Sequence, residues 1–117
     1  MAEVKRGDIW LVNLDPTIGH EIKKSRPGVI IQNDLGNKYS QVTIVAPVTS
    51  QKTEKVYPFE VLLMNRISGL DKSSKVLLNQ IRAIDKKRLV KRLGKVDEEI
   101  LNRINEAIKI SLGLVKA

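Results

Sequence analysis

Between Ile9 and Val96 the apolar residues come only in short runs, each closed by turn-forming residues, and after Asp97 the spacing changes once. Ile9-Trp10-Leu11-Val12 ends at Asn13, Asp15 and Pro16. Val29 to Ile31 ends at Gln32-Asn33-Asp34-Leu35-Gly36-Asn37, a dense turn signal. Val42 to Ala46 makes a third run, and Phe59-Glu60-Val61-Leu62-Leu63 a fourth with a polar interruption. Such runs, rich in β-branched and aromatic residues and bounded by Asn, Asp, Gly and Pro, predict strands. Ser68-Gly69-Leu70-Asp71 reads as a further turn before the segment Lys75 to Arg82. Asp85 is placed to cap one helical turn at Lys86 to Leu89. Leu89 to Val96, studded with Lys and Arg (Lys91 and Arg92 among them), predicts a short edge strand whose charges discourage pairing with other chains. Beyond it, Ile100, Leu101, Ile104, Ala107, Ile108 and Leu112 fall on one helical face. Asp97 is its N-cap, Glu98 and Glu99 suit the positive first turn, and Gly113 supplies the stop. Short strands followed by one amphipathic helix restrict the fold to a mainly β class with α. The expected form is a small, strongly bent antiparallel sheet or barrel on which the helix packs.

With 117 residues the chain is expected to form one domain over 1–117, large enough for a real core. No apolar run approaches the roughly 20 residues of a membrane-spanning helix. The start MAEVKRGD lacks the apolar segment of an export signal, and cysteine is absent, so a cytoplasmic address is expected. The formal charge is +8, from 21 Lys and Arg against 13 Asp and Glu. That excess attracts polyanions and speeds encounter with them, which favours nucleic acid, although an acidic protein would exploit the same field.

Within this frame two segments carry chemistry. Arg26-Pro27 opens the second strand after a polar loop, so Arg26 sits at the mouth of a sheet, where its planar fork can grip a phosphate. Pro27 can begin the strand because its missing N–H is harmless at an end. Ala46-Pro47-Val48-Thr49-Ser50 brings the hydroxyls of Thr49 and Ser50 to the same place. Other chemistries find less support. His20 is the single histidine, with no second ligand at a regular spacing, and the carboxylates Asp8, Asp15, Glu21, Asp34 and Asp85 are scattered at turns. No cysteine nucleophile, base–orienter pair or glycine-rich phosphate loop is present. RNA, however, supplies its own nucleophile in the 2′-hydroxyl. Its cleavage needs a group that stabilises the phosphorane and a proton for the departing 5′-oxygen. Arg26 can serve the first need, and a Thr49 or Ser50 hydroxyl adds a directed donor. The alternatives at these positions are a surface cation and a strand-end β-former.

The ordered set RGDIWLVNLDP, GHE, SRPGVIIQND, IVAPVTS, LLNQIRAIDKKRL and a closing helix with ISLGL resembles the MazF/PemK family of toxin endoribonucleases from Arg6 to Leu114. The resemblance implies the small PemK/CcdB-type, SH3-like antiparallel barrel and a homodimer. It also implies a cognate MazE-like antitoxin and cofactor-free, metal-independent cleavage of single-stranded RNA at a short sequence. It further implies Arg26, of the R-P pair, and Thr49 as the catalytic residues. Glu21, in the loop, and Gln80, in the Q-I-R segment, match positions of RNA contact or active-site surroundings, which Pro27 and Ser50 adjoin. His20 is not inherited as a catalyst, and Asn33 and Asp34 fit a structural turn.

Two rival functions share the fold. A CcdB-like, non-enzymatic gyrase poison uses a tryptophan-bearing C-terminal segment, whereas the only tryptophan here is Trp10. An RNA-binding module without cleavage is disfavoured by the presence of both Arg26 and Thr49. The aromatic residues are few (Trp10, Tyr39, Tyr57 and Phe59), which limits recognition by stacked bases and shifts base reading to Gln, Asn, Thr and backbone groups in loops.

Overall fold

The computed structural model describes residues 3–64 and 70–117. The strands are β1 (Asp8–Asn13), β2 (Ser25–Ile30), β3 (Val42–Thr49), β4 (Glu60–Leu63), β5 (Ser74–Leu77), β6 (Arg82–Asp85) and β7 (Leu89–Lys95); the helices are α1 (Asp34–Tyr39) and α2 (Glu98–Ser111). All pairings are antiparallel, in the order β4-β5-β3-β2-β1-β7, with β6 also on β3. The sheet is not closed: β4 and β7 are the two ends of that order.

β3 organises the sheet. One edge pairs with β2, while the other is shared, Val42 to Val45 with β6 and Val48–Thr49 with β5. Pro47 lies where this second edge changes partner. A residue with no N–H to donate is tolerated at such a gap. Both faces of the central strands are covered, which is why they read as unbroken apolar runs. Ile9, Val29, Ala46 and Val48 project to the side covered by α2, where they meet Ile100, Ile104 and Ala107. Their neighbours Trp10, Val12, Ile30 and Val45 form a second cluster with Val4, Leu14 and Ile84 on the opposite face. Alternation along one strand thus feeds two cores.

The last third follows the sequence closely. The Asp85 carboxylate caps the single turn Lys86–Arg88, and β7 is an edge strand. The Asp97 side chain accepts from the Ile100 N–H, and Gly113 takes a φ of 74° just past the helix end. Leu112 departs from expectation. It lies beyond the last helical residue and is exposed, so the seam ends at Ile108. The segment Gln32 to Asn37, expected as a turn, instead enters α1: Asn33 caps it through the Gly36 N–H, and Asp34 begins the helix. The Asp34 carboxylate accepts from the Arg6 backbone N–H, which holds it below the usual carboxylate range. A structural role for Asn33 and Asp34 is what these contacts describe. Of the turn expected at Ser68-Gly69-Leu70-Asp71, Ser68 and Gly69 lie outside the described residues.

Arg92 is not a free surface cation. Its Nε lies 3.3 Å from the carboxylate of Asp8, which is buried and also accepts from the Lys5 N–H and the indole N–H of Trp10. Lys91, beside it on β7, is exposed and takes part in no ion pair among the described residues.

Candidate active site

Arg26 is set by register. It stands opposite Val12 of β1, and on its other side β2 runs against β3 as Gly28↔Pro47, Val29↔Ala46 and Ile30↔Val45. Carried two residues toward the strand ends, that register places Arg26 opposite Thr49. Directly opposed residues in an antiparallel pair share a face, so the guanidinium and the threonine hydroxyl belong to the same side of the sheet. Gly28 makes the approach close: a Cβ there would lie 3.3 Å from Val12 Cγ2.

The Arg26 side chain is half-buried. Its Nε donates to the Lys23 carbonyl at 2.8 Å, which fixes the plane of the fork. Its two terminal nitrogens have no partner among the described residues. They are therefore free to donate in parallel to two oxygens of one phosphate. Thr49 is nearly buried, and its Oγ1 accepts from the Gln51 N–H at 3.1 Å. That bond engages one lone pair and leaves the hydroxyl proton available to donate.

The other expected residues divide into two groups. Pro27 and Ser50 line, with Arg26, an open cleft of about 430 Å³ that is completed by Leu70, Asp71 and Lys72. Glu21 and Gln80 line a second cleft of about 410 Å³ with His20, Asn79 and Arg82. Thr49 lines neither. Gln80 is engaged within the protein: its Oε1 accepts from the Ile22 N–H at 2.8 Å and so ties down the loop between β1 and β2. Glu21 is likewise local, accepting from the Ile18 N–H. The root of the same loop is clamped by Arg82, which donates to the Leu14 carbonyl, and by Arg88, which donates to the carbonyls of Asn13 and Asp15. These two arginines escaped the sequence reading. They come from β6 and from the turn that follows it, distant in sequence from the loop they hold, and nothing local marks them.

Among the described residues no group of three or more His, Asp or Glu side chains gathers as metal ligands. No described helix is long and apolar enough to cross a membrane.

Residues 5–112 match the family model of the PemK-like, MazF-like toxin of type II toxin-antitoxin systems. The chain is 40% identical over 112 residues to the endoribonuclease EndoA of Bacillus subtilis, covering 96% of this chain and 97% of that protein. Among solved structures it superimposes on MazF of Deinococcus radiodurans with a TM-score of 0.83 at 26% identity, covering 97% of this chain and 99% of that one. A MazE–MazF structure from the same organism gives 0.77 at 25% identity, covering 98% and 100%. The chain belongs to the PemK-like, MazF-like toxins of type II toxin-antitoxin systems.

Proposed function

We propose that this toxin is an endoribonuclease that cuts single-stranded RNA, mRNA above all, without a metal ion, the whole chain acting as one catalytic domain in the cytoplasm. The β2–β3 register, which carried on to the strand ends brings Arg26 level with Thr49, supports the reading together with the uncommitted guanidinium ends. The RNA 2′-hydroxyl gives up its proton to water as its oxygen attacks the adjacent phosphorus, the bond to the 5′-oxygen breaks, and the leaving oxygen takes a proton from water, so none is gained or lost overall. Negative charge grows on the non-bridging oxygens as the phosphorane forms. Two parallel donors from Arg26 and one from Thr49 meet that charge, in a position already organised by the Lys23 carbonyl and the Gln51 N–H. Ser50, Pro27 and the lysine at 72 shape the adjoining cleft, while Glu21 and Gln80 hold the neighbouring loop.

Purified protein should cleave a long single-stranded RNA in the presence of EDTA, leaving 2′,3′-cyclic phosphate (or the derived 3′-phosphate) and 5′-hydroxyl ends. A strict need for Mg²⁺, or 5′-phosphate products, would overturn the mechanism. Binding of RNA without any cutting would favour the non-catalytic module.

The active form is a homodimer, and its partner is a MazE-like antitoxin. The relative from Deinococcus radiodurans whose structure is described as MazE–MazF supports this pairing. Exposed apolar side chains at the C-terminal end, Leu112, Leu114 and Val115, are surface that a twin subunit would cover. Sedimentation at micromolar concentration should give about twice the chain mass; a persistent monomer would refute the dimer. The positive charge suits an acidic, partly disordered antitoxin segment that orders as it binds.

A further inference from the structure

Among the described residues one charged pair is buried on both sides. Lys75 Nζ and Glu60 Oε1 lie 2.8 Å apart, with side chains only 6% and 7% exposed. Lys75 stands directly opposite Thr49 on one side and Leu62 on the other, and Glu60 stands opposite Leu77. By strand alternation Thr49, Lys75 and Glu60 therefore share a face, the one Arg26 also occupies. The pair reaches out of the sheet into the loop between β3 and β4. Lys75 Nζ also donates to the Lys55 carbonyl at 3.0 Å, and Glu60 Oε1 accepts from the Tyr57 N–H at 3.0 Å. Two points of that loop are thus fastened, one by Lys75 on the strand that pairs with the Thr49 segment and one by Glu60 on β4.

What the fastening holds is aromatic. Tyr57 and Phe59 stack with their planes 1° apart and centroids at 5.4 Å. Lys55 and Lys75 place their ammonium groups 4.9 and 6.0 Å from the Tyr57 ring centroid. Tyr57 nevertheless remains 43% exposed. Half of the four aromatic residues in the chain are gathered here, beside cations and next to the site. A buried ion pair is a poor source of stability, because desolvation offsets its attraction; its value lies in fixing one geometry. A stacked aromatic pair flanked by lysines is what sequence-tolerant binding of single-stranded bases uses.

We propose that Tyr57, backed by Phe59, is the platform on which a base of the substrate RNA stacks, and that Lys75 is a positioning residue that registers this platform to Thr49 through Glu60 and the Lys55 carbonyl. The inference rests on the ribonuclease reading above and deepens it. RNA enters with its phosphate at Arg26 and Thr49 and a neighbouring base over the Tyr57 ring. The platform contributes ground-state and transition-state binding alike, so it sets KM and not kcat.

The test measures affinity for a labelled single-stranded RNA pool, and kcat and KM on a long RNA, for the wild type and five variants. Tyr57→Ala should weaken affinity and raise KM by about tenfold or more, with kcat nearly unchanged. Tyr57→Phe keeps the ring and should behave as wild type. Lys75→Met with Glu60→Gln, which neutralises the pair together, should raise KM to a similar extent. Adding Tyr57→Ala to that pair should cost nothing further, since both changes remove one device. Lys75→Arg, which keeps the cation but not its compact fit, is the milder variant and should raise KM partway. In the wild type, photocrosslinks from thiouridine-substituted RNA should map to the peptide bearing Tyr57. Unchanged affinity in Tyr57→Ala, or crosslinks only elsewhere, would overturn the platform. Additive losses in the combined variant would overturn the role of Lys75. If no RNA is cut by any form while Tyr57→Ala still loses affinity, the cleavage reading fails and the platform stands; cleavage with undiminished affinity fails the platform alone.

Discussion

Arg26→Ala should slow single-turnover cleavage by about 10²–10³-fold or more, the loss typical of one transition-state donor and larger for a charged one. RNA affinity should fall far less. The ground-state phosphate carries its charge already, and Lys72, which lines the cleft, and the net charge of the chain remain to attract it. What disappears is the fork whose plane is fixed by the Lys23 carbonyl, and that fork matters most when the phosphorus becomes pentacoordinate. Arg26→Lys should rescue little, because a point charge cannot make two parallel bonds and loses the Nε anchor. Thr49→Ala should abolish most cleavage with the fold retained, as a strand-end hydroxyl whose partner among the described residues is the Gln51 N–H is cheaply lost. Lys91→Ala, on the edge strand β7, should leave the rate intact and at most increase salt sensitivity of binding. Arg92 makes a poor control, because it neutralises the buried Asp8. Near-normal rates in both Arg26→Ala and Thr49→Ala would remove these residues from the site.

Ile104→Ala should destabilise the fold by about 2–5 kcal/mol, the range for truncating a buried aliphatic side chain to alanine. Ile104 is fully buried at the centre of the helix face, between Ile100 and Ala107 and against the β4 side of the core. A cavity there cannot collapse readily, since α2 is held by its Asp97 cap at one end and by the Ser111 hydroxyl donating to the Leu78 carbonyl at the other. Urea unfolding at fixed protein concentration should show a lower midpoint with an unchanged slope. A shift well below 1 kcal/mol would mean that the helix is not the lid of the main core.

Much of this architecture can be read from local chemistry. The edge position of β7 follows from its Lys and Arg content, and the caps at Asp85 and Asp97 follow from residue type and the runs behind them. Trp10 alternates into the second cluster, as its place among Ile9 and Leu11 suggests. Local chemistry misleads at Gln32 to Asn37, where turn formers build a short helix instead. Gly36 leaves room inside it for the Gln32 side chain, which a Cβ would meet at 2.9 Å and which bonds Asn37 and the Val42 carbonyl. Closure is equally non-local: strand count suits a barrel, but β4 and β7 do not join. At the site, the motif pointed to Arg26 and Thr49, while their face depends on a register between strands that no single segment encodes. The Lys75–Glu60 pair did leave a trace. Opposite charges each interrupt an otherwise apolar β run, at FEVLL and SKVLL, and such a mismatch is a signal worth pairing.

The divided edge of β3 bears on how this family can vary. β2, β5 and β6 all take their alignment from its residues Val42–Thr49. Adding or deleting one residue there would turn every later side chain to the opposite face, carrying Thr49 away from Arg26 and Lys75 at once. Length changes are therefore admissible only outside it, in the stretches 14–24 and 50–59 that flank the site. Descendants of this toxin can drift in the RNA words they cut by lengthening or shortening loops, while the strand between those loops must keep its residue count.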